Sequence, residues 1–550
     1  MSKLTSTKSR VFSLIAAASL VSMTLVSIPS AHAADAVCAT VHYVETCNGA
    51  TSDGAKYQSM VPANFNGTVF LYSHGYRYPV DIPASFPAAA GGGYKVANYM
   101  FAQVGPSAAV VGSLLAKGYG VVGSGFSVQG WNADKGLATD AELIPLFKAK
   151  YTKTTKVVAW GESLGGFITQ ALAEKYPTLV DAVAPMCMAA GSVEAELTMA
   201  GDALWGLKTF FDPSIVGHSY KAGLAGYAEA MGDIAKILTI ASKIPAAVAT
   251  DKWLDTSGAA GVALAAIPPR SALLLVGLMS GVPTQSAHFD STTGPGPVDS
   301  ADYSKFALAA SPALATLENI AGAAILGVLA TYDVELQAGG TVFDNSKTDY
   351  ASRITNEAAS FNLALSGNSA IKGMMGFLAT ASVAPRWTAD AASVAKMRAL
   401  VSHTGTINVP TIGLAATADA TTPAGNLQWL ADRAAEQLAA SKVAAQAEYV
   451  KTGTFVSPKS KFLAIWNAPA ASYTKFSGAT PITSGPAANG TTHCNYTTAQ
   501  YMAVAVLAAQ AATTGAIPVG GGVKTIIRKA GGLAIDPNFR APLLKFYNEQ

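Results

Sequence analysis

The stretch that decides the fold is VVAWGESLGG, residues 157–166. A short apolar run leads into the pattern G-x-S-x-G, and helical periodicity follows it, so the sequence predicts a sharp strand-to-helix turn at the serine. Glycines flank Ser163 because a Cβ would clash in so tight a turn. The pattern predicts a nucleophilic Ser163 at the N-terminus of a helix; the alternative is a glycine-rich turn with an incidental serine.

Strands and helices alternate on both sides of this turn. Strands are predicted in GTVFLYSHG (67–75), YGVVGSGFS (119–127) and NVPTIGLAAT (408–417), and helices between them follow the 3.6-residue period. A helix is also predicted over 425–443, and a strand over AQAEYVKTGTF (445–455). This alternation predicts an α/β fold with a mostly parallel sheet covered by helices on both faces.

The alternation of strands and helices stops in the middle of the chain. Residues 191–404 are alanine-rich and mainly helical in pattern, and they offer no strands at the earlier spacing. We therefore predict a helical cap or lid insertion, placed between an N-terminal core half (34–190) and a C-terminal core half (405–550).

The N-terminus indicates export. Three basic residues precede a long apolar run that ends in SAHA, which is typical of a signal peptide over residues 1–33; the alternative is a membrane anchor. Removing it takes away three positive charges and no negative ones, so the net charge falls from +3 to 0. A neutral chain is not attracted to nucleic acid, and no later apolar run reaches the roughly 18 uninterrupted residues of a membrane span. We expect a secreted or periplasmic protein without stable membrane insertion.

Four cysteines remain in the exported chain, and they allow three pairings. Cys38 and Cys47 flank a predicted hairpin, VCATVHYVETC, which favours a disulfide between them. That pairing leaves Cys187 and Cys494, which form either a second disulfide or two small buried thiols.

A serine nucleophile needs a base and an acid. Among seven histidines, His493 follows the last predicted strand, the position that the order Ser, acid, His requires. Asp419 follows the strand 408–417 and is the candidate for holding the imidazole; the alternative is a turn aspartate that caps a helix. The remaining histidines are expected at surface or packing positions.

Further residues are candidates for binding the substrate. The amide of Leu164 is one predicted donor to an oxyanion, and the second is the amide of Gly75 or Tyr76 in the loop YSHGYRYP, with His74 orienting that loop. Aromatic side chains on loops at the same sheet edge are predicted to line an apolar pocket: Tyr76, Tyr78, Phe126 and Trp131. Scattered surface aromatics are the alternative.

Other motifs carry less weight. The G-x-G in VVGSGFSVQGW lacks the third glycine of a dinucleotide site, and no clustered Cys/His spacing indicates a metal. The oxygen-rich stretch around Asp344 and Asp349 fits a turn better than a calcium site. No cofactor is predicted.

The motifs SHGY, GESLGG, TADATTP and THCNY, in this order, resemble the α/β-hydrolase superfamily over roughly residues 55–190 and 405–515. More narrowly, the chain resembles secreted bacterial esterases and lipases. Cys494 directly after His493 is similar to the tannase and feruloyl esterase group, where a disulfide ties the nucleophile region to the histidine. There the partner cysteine directly precedes the serine; here Glu162 has that position, and Cys187 is left to act as the tether from the next strand.

The resulting hypothesis is a secreted serine hydrolase that cleaves a small or polymeric carboxylic ester (enzyme class EC 3.1.1) through a Ser-His-Asp triad and an acyl-enzyme. Three alternatives stay open: a prolyl-type peptidase or aminopeptidase, an acyltransferase, and a non-catalytic binding protein on a hydrolase scaffold. The sequence leaves the oligomeric state and the identity of the ester open.

Overall fold

The computed structural model describes residues 34–84, 93–250, 269–290, 311–356, 376, 378–379, 384–477 and 480–548. The predicted signal peptide, residues 1–33, lies outside the described residues. The strands are β1 (Ala34–Val41), β2 (Val44–Ala50), β3 (Lys56–Pro62), β4 (Thr68–Ser73), β5 (Gly120–Ser124), β6 (Lys156–Glu162), β7 (Ala182–Met186), β8 (Thr411–Ala416), β9 (Phe462–Asn467), β10 (Phe476–Ser477), β11 (Thr480–Pro481) and β12 (Leu533–Ala534).

Helices connect these strands. They are α1 (Ala108–Ala116), α2 (Ala133–Lys150), α3 (Leu164–Lys175), α4 (Val193–Phe210), α5 (Gly223–Thr250), α6 (Pro269–Ser280), α7 (Ser311–Ala338), α8 (Tyr350–Asn356), α9 (Ala391–Arg398), α10 (Gly425–Thr452), α11 (Thr498–Thr514), α12 (Gly521–Ala530) and α13 (Lys545–Asn548). A single 3₁₀ turn covers Val96–Tyr99.

Ten strands form one sheet in the order β1-β2-β3-β5-β4-β6-β7-β8-β9-β12. The six central strands, from β5 to β9 in this order, are parallel. The strands β1 to β3 form antiparallel pairs at one edge, and β12 pairs antiparallel with β9 at the other. The predicted α/β class with a mostly parallel sheet is confirmed.

Both faces of the sheet are buried. Along β4, Val69 and Leu71 pack with helices α2 and α3, whereas Phe70 and Tyr72 pack with helices α1 and α11 on the opposite face. This alternation follows from the two-residue period of a strand, and the apolar residues on both sides are typical of a parallel sheet covered twice.

The edge hairpin agrees with its predicted pairing. Cys38 and Cys47 lie directly opposite each other in the register of β1 and β2, and they form a disulfide. The turn between the strands passes through His42 and Tyr43, both at positive φ.

Helices α4 to α9 lie between β7 and β8 in the chain, and no described residue of this region belongs to a strand of the sheet. Four of these helices, α4 to α7, pack against one another around their own apolar core, which includes Trp205, Leu274 and Leu329. We refer to residues 191–404 as the helical region.

The prediction of a strand over residues 445–455 is wrong. Helix α10 continues to Thr452 and ends at Gly453, which adopts the left-handed conformation at φ 72°. Alanine, glutamate, glutamine and lysine dominate this stretch, so its helix propensity outweighs the β propensity of Tyr449 and Val450. The next strand of the sheet beside β8 is instead β9, for which no strand was predicted.

Helix α7 is long and apolar enough to cross a membrane by length and composition, with a mean hydropathy of 1.7 over its most apolar window. Over half of that window, 56%, is buried inside the protein. Glu318 and Asn319 interrupt its apolar run, so the helix does not contain 18 uninterrupted apolar residues.

Candidate active site

Ser163 lies at the turn between β6 and α3 with a strained backbone, φ 58° and ψ −124°. A Cβ on Gly165 would lie 2.0 Å from the carbonyl oxygen of Ser73, and one on Gly161 would lie 2.5 Å from the carbonyl oxygen of Gly165. The two motif glycines are therefore required by close backbone approach. Together with the sheet topology, this turn has the geometry of the nucleophile elbow in the α/β-hydrolase fold.

Asp419 and His493 form a close pair. Nδ1 of His493 lies 2.9 Å from Oδ2 of Asp419, which is fully buried. The other carboxylate oxygen, Oδ1, accepts hydrogen bonds from the amides of Thr421 and Thr422 at 2.8 and 3.1 Å. Because Nδ1 donates to the aspartate, Nε2 of the neutral ring is left as the proton acceptor.

Thr422 and a disulfide connect this pair to the strand beside Ser163. The Thr422 hydroxyl lies 2.7 Å from the carbonyl oxygen of Cys187 and 3.3 Å from Nδ1 of His493. Cys187 is bonded to Cys494, the residue after His493. The amide of Ser163 donates to the carbonyl oxygen of Met186, the residue before Cys187, at 3.0 Å. Ser163 after β6, Asp419 after β8, and His493, which is tied through Cys494 to the end of β7, thus lie at the same edge of the sheet.

No hydrogen bond joins the Ser163 hydroxyl to His493 in the part of the chain that the structure describes. Nε2 of His493 instead lies 3.4 Å from its neighbour, Sγ of Cys494. The imidazole is partly exposed, at 27%. Contacts of this kind are often loose without a substrate and tighten when one binds.

The loop after β4 approaches Ser163 from the other side. A Cβ on Gly75 would lie 3.2 Å from Cβ of Ser163, so the Gly75 backbone contacts the serine. Nδ1 of His74 lies 2.7 Å from the Gly75 carbonyl oxygen, and its ring packs on Phe126 with 4.3 Å between centroids. Burial lowers the pKa of His74 to about 3, helped by the charge of Arg77, so this ring is neutral and suited to holding the loop.

A cavity opens in front of Ser163. Its empty space measures about 880 Å³, including a part open to solvent. Ser163, Leu164, Tyr76 and Trp131 line it on the side of the sheet, and α4 and α7 of the helical region supply apolar walls. Thr422, which contacts His493, lines the same cavity.

Two predicted pocket residues lie elsewhere. Phe126 is buried under His74, at φ 51°, because the ring fills the space below the loop. Tyr78 packs on Tyr76 and Tyr94 at centroid distances of 6.2 and 5.3 Å. Neither ring is among the described residues that line the cavity; Tyr78 supports Tyr76 from behind.

The charges around His493 favour its protonated form. Burial is the strongest influence and opposes the charged ring, but the charge and hydrogen bond of Asp419, with the charge of Glu162, outweigh it, so the pKa of His493 is raised. Glu162 is held by the hydroxyls of Tyr72, at 2.6 Å, and Tyr501. Burial raises the pKa of Glu162 itself.

Sequence reasoning missed two residues that organise the site. For Thr422, the only indication in the sequence is that it lies three residues after Asp419, in the same predicted turn. Asp333 in α7 accepts a hydrogen bond from the amide of Trp131 at 2.6 Å, and the hydroxyl of Tyr76 lies 3.4 Å from the same oxygen. Asp333 therefore joins the helical region to both aromatic residues of the cavity, a long-range contact without a sequence signature.

Groups with metal-ligand chemistry do occur near the site. Each such group among the described residues includes a cysteine that is bonded in a disulfide, for example Asp419, His493 and Cys494. A disulfide sulfur is not a thiolate, so these groups lack the ligand that a metal would need. The carboxylate of Asp344 accepts bonds from Ser346 and Ala389, which identifies its stretch as a turn.

No known family model matches the chain, and no curated protein matches it. Similar solved structures include an esterase of Pyrococcus furiosus, with 14% identity and a TM-score of 0.20 over 32% of this chain and 55% of that one. They also include the rice cell wall degrading esterase LipA from Xanthomonas oryzae, with 12% identity and a TM-score of 0.27 over 72% of this chain and 80% of that one. Feruloyl esterase B from Aspergillus oryzae has 12% identity and a TM-score of 0.30 over 82% of this chain and 73% of that one.

The chain thus spans about half of the length of the Pyrococcus furiosus esterase. At these identities and TM-scores the similarities carry no information on substrate. The function proposed below rests on the geometry of the site.

Proposed function

We propose that the chain is a secreted serine hydrolase that cleaves carboxylic esters with Ser163, His493 and Asp419. The observation that supports this most is the strained Ser163 at a strand-to-helix turn, facing a cavity whose wall also includes Thr422, the partner of the Asp419–His493 pair. A serine backbone with a positive φ costs free energy of folding, and such strained conformations cluster at active sites.

The mechanism follows from these positions. Nε2 of His493 takes the proton of Ser163 as the hydroxyl oxygen attacks the ester carbonyl, and Asp419 stabilises the imidazolium. The amide of Leu164, which has no partner within its helix, and that of Gly75 or Tyr76 donate to the developing oxyanion. His493 then protonates the leaving alcohol, and water releases the acid from the acyl-enzyme. The scheme uses no cofactor.

The helical region acts in this proposal as a cap over the two core halves, 34–190 and 405–550. Its helices α4 and α7 supply most of the apolar wall, which favours the apolar part of an ester. Export through residues 1–33 is part of the same proposal. The two disulfides are consistent with an oxidising compartment.

The reaction class can be tested with three reagents on the purified mature chain. We expect a fluorophosphonate to label Ser163, and p-nitrophenyl esters to be cleaved with kcat/KM on the order of 100-fold above aminoacyl p-nitroanilides, about 2.7 kcal/mol in activation free energy. The apolar cavity has no free amine-binding carboxylate pair that would favour a peptide N-terminus, among the described residues that line it. Peptide mapping of the labelled protein identifies the modified serine.

Each alternative predicts a different result. Faster anilide cleavage would indicate a peptidase, and ester products in the presence of an added alcohol would indicate an acyltransferase. Absence of labelling in the folded protein would refute the hydrolase proposal and favour a binding protein.

The raised pKa of His493 predicts a pH dependence. The ring must be neutral to accept a proton, and its pKa lies above the usual 6.5, so we expect kcat/KM to fall as the pH decreases through a value above 6.5. Because Asp419 raises this pKa, Asp419→Asn should move the titration of the ring to lower pH. NMR titration of labelled histidine measures the pKa of His493 in wild type and in Asp419→Asn. An unchanged pKa in the variant would contradict the assigned pair.

A further inference from the structure

Glu196 lies in the wall of the Ser163 cavity, in the first turn of α4. Most of the other residues that line this cavity are apolar, among them Leu204 and Ile320. It is the only residue with a carboxyl group among the described residues that line the cavity. A polar group in such a wall costs free energy unless it has a partner, so its hydrogen bonds decide its role.

One carboxyl oxygen of Glu196 accepts a hydrogen bond, and the direction of that bond is fixed by its neighbours. The amide of Ala190 donates to Oδ1 of Asn426 at 3.1 Å, which fixes the orientation of the Asn426 side chain. Nδ2 of Asn426 then donates to Oε1 of Glu196 at 2.7 Å. Oε1 is therefore an acceptor. The other oxygen, Oε2, is closed to solvent and has no hydrogen-bond partner.

The proton of Glu196 belongs on Oε2. Burial, reinforced by the charge of Asp419, raises the pKa of Glu196 to about 8, against the opposing effects of Asn426 and His493. The remaining titratable group that senses Glu196 is Tyr547 of α13. At neutral pH the side chain is thus a neutral acid whose carbonyl oxygen accepts from Asn426 and whose Oε2–H has nothing to donate to.

We propose that Glu196 determines specificity: its carboxyl group turns toward the cavity when a substrate binds, and Oε2 donates a hydrogen bond to an oxygen acceptor in the substrate chain near the scissile ester. The inference rests on the proposed esterase function and narrows its substrate class. The preferred ester has a mainly apolar chain with an ether, hydroxyl or carbonyl oxygen in it. Plain alkyl esters leave the buried donor without a partner, which lowers their kcat/KM.

Matched pairs of p-nitrophenyl esters test this, each pair differing by one methylene exchanged for an ether oxygen. Ethoxyacetate and 3-methoxypropanoate are compared with pentanoate, and 4-methoxybutanoate with hexanoate. For each pair, the measured quantity is kcat/KM of the ether ester divided by kcat/KM of the alkyl ester. At pH 7 we expect this ratio to be about 5-fold higher in wild type than in Glu196→Leu for one of the pairs. Taking the ratio within each protein cancels effects of His493 and of intrinsic reactivity.

The pH dependence and a second variant separate a donor from a general packing role. The wild-type preference should decrease between pH 7 and pH 9, as Glu196 loses its proton near 8. Glu196→Gln keeps an acceptor for Asn426 and an N–H donor, so its preference should persist at pH 9. This variant also retains the shape of the side chain if the leucine variant does not fold.

Equal ratios in wild type and Glu196→Leu for every pair would overturn the proposal. So would a preference that increases with pH, together with faster cleavage of the 5-aminopentanoate ester, because that result indicates an ionised carboxylate that binds a cation. Failure to hydrolyse any of these esters would instead refute the esterase function itself.

Discussion

Replacing Ser163 by alanine is expected to lower kcat/KM for a p-nitrophenyl ester by about 10⁴-fold or more, and to abolish fluorophosphonate labelling. The hydroxyl is the nucleophile that the protein supplies in the proposed scheme, and the chain keeps its turn because glycines at 161 and 165 allow the close backbone approach. Steady-state kinetics and intact-mass measurement after labelling give both results.

A matched control is a serine outside the candidate site. Ser113 lies on α1, and its hydroxyl bonds only to the carbonyl oxygen of Ala109 in its own helix. Ser113→Ala should keep its activity within about 2-fold, as surface substitutions usually do. Equal melting temperatures of the three proteins exclude misfolding, and more than a tenth of the activity left in Ser163→Ala would rule out the assigned nucleophile.

The same reasoning predicts that the site acts as one unit. His493→Ala should lose about as much activity as Ser163→Ala, and the double variant should lose little more than either one, because each change alone removes the attack. A double variant whose losses multiply would mean that the two side chains work in separate steps.

Local features of the chain were enough to predict the core of this site. The G-x-S-x-G turn and the glycines around Ser163 follow from steric limits on a few neighbouring residues. Asp419 could be predicted because parallel strands bring their carboxyl ends to one edge, and a polar turn after β8 has to lie there. The edge disulfide was favoured because Cys38 and Cys47 flank a predicted hairpin, and the register of β1 and β2 sets them opposite each other.

Residues of the helical region could not be predicted in the same way. Glu196 has the sequence context of an ordinary acidic residue in the first turn of a helix, where the helix dipole favours negative charge. Its role depends on Asn426, which is 230 residues away in the chain. Asp333 likewise contacts Trp131, 202 residues away, and Tyr76, 257 residues away. Such contacts are set by packing between distant segments.

The misassigned strand at 445–455 shows the limit of periodicity. Aromatic and β-branched residues near Tyr449 suggested a strand, but a strand must also have neighbours that bury it. Here Val450 is 78% exposed, and β9 is the strand that reaches β8. The helix propensity of this segment, and the absence of a neighbour among the described residues that would bury it, kept it out of the sheet, and β9 pairs with β8 in its place.

Removing the disulfide between Cys187 and Cys494 is expected to cost the most activity of any change outside the triad. The bond ties the residue after His493 to the strand end beside Ser163, across a separation of 307 residues. Without it, the turn that carries His493 is held by hydrogen bonds, such as those of Asp419 to the ring and of the Tyr501 hydroxyl to the carbonyl oxygen of Cys494, so the imidazole loses orientation toward the serine. Misplacement on the order of 1 Å lowers rates by about 100-fold, which is the loss we expect in kcat/KM.

The double variant Cys187→Ala with Cys494→Ala tests this without leaving a reactive thiol, and alanine adds no hydroxyl beside Nε2 of His493. The control is Cys38→Ala with Cys47→Ala, which removes the hairpin disulfide of separation 9 at the sheet edge. Because the hairpin keeps its strand pairing and lies far along the sheet order from β7, its loss should change kcat/KM by less than about 3-fold. Melting temperatures report the stability cost of each bond, which is about 2–5 kcal/mol for a native disulfide. If both variants lose activity only in proportion to their loss of stability, the Cys187–Cys494 disulfide only stabilises the fold. A selective loss of activity in the variant without this disulfide, with broadened NMR signals of His493, would show that the disulfide positions the base.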